Sequence, residues 1–75
     1  MKLTVDQEAD ALHLRLVDVP VTESDEISPG VIVDYDESNQ VIGIEVLGLS
    51  KRCPPINPMD FQFEINSKIQ APTEK

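Results

Sequence analysis

From Asp34 to Glu45 the chain places oxygen donors at the spacing of a calcium-binding loop. Asp34, Asp36 and Ser38 stand at its first, third and fifth positions, Val41 at the apolar eighth and Glu45 at the twelfth. Asn39 occupies the sixth position, where that loop needs glycine. No helix is expected on either side, since residues 31–33 (Val-Ile-Val) and 44–46 (Ile-Glu-Val) read as strands. As a β-hairpin turn the same residues need no metal, and that reading is preferred. Asp34, Asp36 and Glu45 stay as metal candidates in an alternative reading, a metal- or ligand-dependent protein or small enzyme. His13 is the only histidine. A general base needs a nucleophile within reach, and no serine or cysteine is marked as its partner. It is read as a surface residue, and no catalytic residue is expected. Cys53 follows Lys51 and Arg52, and positive neighbours make a thiol more reactive. It is read as an incidental thiol. Glycine-rich phosphate loops and paired metal cysteines are absent from the sequence, so no cofactor is expected.

These groups must be positioned by strands. Residues 2–6 alternate, with Leu3 and Val5 on one face, and residues 11–17 alternate with Leu12, Leu14 and Leu16 on one face and His13 and Arg15 on the other. The polar run 7–10 joins them as a hairpin. Helix formers in 7–16 offer a helical alternative, but leucines at every second position fit a helical stripe poorly. Residues 21–27 form a weak, acidic strand suited to a sheet edge. Ser28-Pro29-Gly30 is a turn, with Pro and Gly in the order of type II. Residues 31–35 are β-branched or aromatic except Asp34 and give the strongest strand signal. Asn39 suits a left-handed position in the next turn. Residues 41–47 are the partner strand, in which Gly43 marks a bulge or a close backbone approach. Residues 48–53 suit one helical turn, ended by Pro54-Pro55. Residues 61–65 alternate again, with Phe61, Phe63 and Ile65 on one face.

The expected fold is mostly β: a small antiparallel β-meander of about five strands with one short helical turn and a C-terminal extended segment. Residues 1–53 form the β domain, 54–69 an extension with a strand, and 70–75 a frayed tail. The sequence has 75 residues, and a chain of that size buries only about 60% of its unfolded surface, so such domains often need a staple. One cysteine excludes an internal disulfide, which leaves self-association, and a homodimer is expected.

The net charge is −8, with 14 acidic and 6 basic residues. Seven carboxylates and no Lys or Arg lie between Asp18 and Glu37. Nucleic acid is a poor partner for such a surface, because phosphates need counter-charge. Solubility alone is one explanation of the charge. A basic protein partner is the other, docking on Glu23, Asp25 and Glu26, with Phe61, Phe63 and Ile65 adding apolar contact or mediating self-association. No apolar run is long enough to span a membrane. A free thiol and no signal-peptide pattern point to the cytoplasm.

Residues 1–52 resemble the prokaryotic domain of unknown function 2283 family. The likeness is carried by Asp6-Gln-Glu-Ala-Asp10-Ala-Leu12, Ser28-Pro-Gly-Val-Ile-Val-Asp34-Tyr-Asp36, Val41-Ile-Gly-Ile-Glu45-Val and Ser50-Lys51-Arg52. Family members usually have proline where Gln7 stands and often glycine where Asn39 stands; both positions remain turns. The resemblance implies a β-rich domain with no established activity and no catalytic residues to carry over. Some members look like the antitoxin half of a small two-gene module. The expected function is therefore a non-enzymatic protein–protein interaction module, antitoxin-like in form. A structural homodimer within a larger complex is a further alternative.

Overall fold

The computed structural model describes residues 1–67. Residues 68–69 of the expected extension and the expected frayed tail, 70–75, lie outside the described residues. The chain is mostly β. One antiparallel sheet holds β1 (Lys2–Asp6), β2 (Ala11–Arg15), β3 (Glu23–Ser28), β4 (Val31–Tyr35) and β5 (Val41–Leu47), and a 3-10 turn follows at Leu49–Lys51. The turns use the residues that permit them. Gly30 has φ 75° in the β3–β4 turn, and Asn39 has φ 65° in the β4–β5 turn.

The strand order is β1-β2-β5-β4-β3, so the meander is not continuous. β1–β2 and β3–β4–β5 each meander, and the chain crosses from β2 to the far edge between them. Charge explains the crossover. Placing β3 next to β2 would put its carboxylates in the interior of the sheet. At the edge every residue of β3 is exposed.

Register sorts the side chains into two faces. Leu3 and Val5 lie opposite Leu14 and Leu12. Those leucines lie opposite Ile44 and Val46, which in turn face Val33 and Val31. This is the apolar face. The other face carries Thr4, His13, Arg15, Gly43, Glu45, Asp34 and Ser24. A bulge between Asp34 and Tyr35 leaves Ile42 as the extra residue of β5.

Residues 61–65 do not form the expected strand. They lie outside the sheet, with Phe61 and Phe63 against Met1, Leu3, Leu12 and Leu14. The two rings and the leucines line one apolar groove, an arrangement that needs no backbone ladder. The cover is partial. Phe63 is 77% exposed and Ile65 71% exposed. Only Val33, Ile42 and Leu49 are buried apolar side chains among the described residues. The radius of gyration is 15.3 Å, against about 11 Å for a compact chain of this length. No helix among the described residues is long and apolar enough to cross a membrane.

Two further contacts close the sheet ends. Asp10, with φ 55°, accepts hydrogen bonds from Ser50 N at 3.1 Å and Ser50 Oγ at 2.8 Å, while its carbonyl accepts from Leu49 N. Arg52 donates to the Leu47 carbonyl at 3.2 Å beside Gly30.

With so small a core, each buried methyl counts. Ile42→Val is expected to cost about 0.5–1.5 kcal/mol in urea unfolding. Ile27→Val, at a side chain 59% exposed, is expected to stay within about 0.5 kcal/mol. Equal losses would show that Ile42 is not the centre of the core.

Candidate functional site: a His-Asp-Glu cluster on the polar face

His13 on β2 and Asp34 on β4 do not sit on neighbouring strands. β5 runs between them, so the two strands are about 9.5 Å apart. The residues are offset along the sheet as well, since His13 lies opposite Glu45 and Asp34 opposite Gly43. They meet because the β5 residue opposite both Arg15 and Asp34 is Gly43. A Cβ there would stand 3.1 Å from Asp34 Oδ2 and 3.4 Å from His13 Nε2. Without it, His13 Nε2 reaches within 3.5 Å of Asp34 Oδ2. Glu45, directly opposite His13 on β5, completes a cluster whose three ligand atoms lie within 4.8 Å of one another.

The Asp34 side chain is only 4% exposed, and that of His13 is 38% exposed. A carboxylate this deep needs donors. Ser24 Oγ, from the edge strand β3, donates to Asp34 Oδ1 at 2.7 Å. The other oxygen turns to His13. His13 Nε2 is itself buried and finds no hydrogen-bond partner of acceptable geometry among the described residues. Burial pushes the Glu45 carboxyl above its ordinary value. The neighbouring Asp34 carboxyl pushes the same way, and the charge on His13 opposes it.

The order of contacts limits the chemistry. Acyl transfer needs an imidazole between the serine and the carboxylate. Here the carboxylate lies between Ser24 and His13, so the serine proton is directed at Asp34 and the imidazole does not touch the hydroxyl. What remains is a set of one nitrogen and two carboxylate donors, partly open to solvent.

Of the metal candidates read from the sequence, Asp34 and Glu45 come together and Asp36 does not. Asp36 Oδ1 instead accepts from the backbone N–H groups of Ser38 and Gln40, both at 2.9 Å, and so closes the β4–β5 turn. His13, Ser24 and Gly43 are the members that the sequence reading left out of the site. The signal for Gly43 was present, as a glycine inside a strand pattern. Glu23, Asp25 and Glu26 lie on β3, while Phe61 and Phe63 line a groove with residues of β1 and β2, so the two sets expected to meet a partner sit towards opposite edges. Cys53 is exposed, beside Lys51 and Arg52.

Residues 2–50 match the family described as Protein of unknown function (DUF2283). The chain belongs to that family. The match ends at Ser50, within the 3-10 turn, and leaves Phe61 and Phe63 outside it. No curated protein and no solved structure matches the chain closely enough to be called similar.

A raised Glu45 has a definite consequence for stability. The folded chain holds its proton more tightly than the unfolded chain, so stability falls as pH rises from the ordinary carboxylate value of 4.5 through the raised one. Glu45→Gln keeps the shape and removes the charge. In chelator-treated buffer its melting temperature is expected to exceed that of the native chain at neutral pH. The advantage should shrink towards about pH 4. A difference independent of pH would contradict the shift.

Proposed function

We propose that the chain is a non-enzymatic protein-interaction module that works as a homodimer. The observation that carries this reading is the unfinished second layer of the sheet. Met1, Leu3, Leu12, Leu14, Phe61 and Phe63 line an apolar groove of about 500 Å³. Phe63, one wall of that groove, and Ile65 are more than two-thirds exposed. Exposed apolar groups next to an apolar groove favour reciprocal exchange between two copies. Each Phe63 enters the partner's groove about a two-fold axis.

The acidic strand β3 lies at the other edge and stays free in this dimer. Glu23, Asp25 and Glu26 there would steer a basic protein partner, and their repulsion would discourage edge-to-edge pairing of two copies. An antitoxin-like role, in which this edge covers the basic working surface of a small toxin, is the form of the interaction we favour.

Sedimentation equilibrium over a range of concentrations tests the dimer. The native chain is expected to dimerise, and Phe63→Ser to weaken association by at least about tenfold, since a buried aromatic dominates such contacts. A native chain that stays monomeric at high concentration would refute the reading.

A further inference from the structure

We propose that His13, Asp34 and Glu45 form a three-ligand site for a divalent transition-metal ion of the zinc type. The inference is independent of the dimer, since the cluster lies on the opposite face of the sheet from the apolar groove.

Three observations converge. The imidazole Nε2 is buried without a hydrogen-bond partner among the described residues, which is costly for a ring nitrogen unless it faces a cation or a proton acceptor. The nearest carboxylate oxygen, Asp34 Oδ2, stands 3.5 Å away and forms an ion pair only with a protonated ring, so a neutral imidazole leaves this nitrogen unsatisfied. The floor beneath both groups is Gly43, where a Cβ would occupy the space between them, 3.1 Å from one and 3.4 Å from the other. Side chains from three adjacent strands converge over that floor.

The donor set selects the ion. Calcium takes about six to eight oxygens, and magnesium keeps oxygen and water around it. One imidazole and two carboxylates instead suit zinc and its first-row neighbours. Bonds of about 2.0–2.2 Å put adjacent ligand atoms roughly 3–3.5 Å apart. The cluster spans at most 4.8 Å, so closing it takes side-chain torsions and leaves the strands in place. Ser24 supplies outer support, because its hydroxyl fixes Asp34 Oδ1 and leaves Oδ2 for the ion. The two carboxylates neutralise a divalent charge. Three protein ligands leave the fourth position of a tetrahedral ion to water or to a ligand.

The test is calorimetric titration of the full chain, stripped with chelator, using zinc, calcium and magnesium chlorides. Zinc is expected to bind with one-to-one stoichiometry, and at least about tenfold more tightly than calcium or magnesium. His13→Ala, at a half-exposed position, is expected to weaken zinc by at least about tenfold. Gly43→Ala keeps every ligand and fills the floor, and it is expected to weaken zinc similarly. Far-ultraviolet circular dichroism checks that both variants keep the sheet. Cobalt(II) in place of zinc is expected to give a visible ligand-field absorption that His13→Ala removes. Absence of zinc binding to the native chain would overturn the site. So would zinc binding left unchanged by both His13→Ala and Gly43→Ala, which would place the ion on other residues.

Discussion

The whole molecule depends on the pairing of β5 with β2 on one side and β4 on the other. β5 is the last strand among the described residues, yet it occupies the middle of the sheet. It joins two hairpin-built pieces that would otherwise be unconnected ribbons, each marginal alone in water. Its register places Ile44 and Val46 between the leucines of β2 and the valines of β4, which makes the apolar face continuous. A shift of one residue would carry the apolar set to the other face. The same register brings Gly43 beneath His13 and Asp34, so one pairing produces both the core and the cluster.

A sheet of one layer has two faces to satisfy. The polar face holds the Ser24–Asp34 hydrogen bond but leaves His13 Nε2 without a hydrogen-bond partner among the described residues. The apolar face is less complete. Val33 and Ile42 are buried near its centre, whereas Leu3 at the β1 edge is 37% exposed under a cover that reaches only part of it. The two edges also differ in character. β3 is acidic and open, and β1 is flanked by phenylalanines. This polarity across the sheet makes the two ends fit for different contacts.

Much of this was legible in the residues. β1, β2, β4 and β5 follow from even–odd alternation, and the turns at Gly30 and Asn39 follow from residues that tolerate positive φ. The acidic character of residues 21–27 correctly implied an edge. Strand order was not legible, because alternation says which face a side chain takes and nothing about which strand lies alongside. That gap hid the site. Asp34 and Glu45 stood together in the sequence pattern, but His13 looks like an isolated polar residue until β2, β5 and β4 are set side by side. Asp36 looked equivalent to Asp34, but it falls in the turn, where backbone N–H groups claim it. Residues 61–65 showed strand rhythm without a strand; Phe61 and Phe63 line the groove beside the leucines instead.

The contact between Asp10 and Ser50 joins residues 40 positions apart. Asp10 belongs to the turn of the first hairpin, and its partner follows the final strand. On the ribosome, that first hairpin emerges with its turn carboxylate still waiting for a mate. Everything through residue 50 must leave the exit tunnel before the latch can fasten. Closure over so long a stretch is slow relative to local pairing. A nascent chain that stalls earlier therefore holds an unlatched hairpin, open to proteases and to neighbouring unfinished copies.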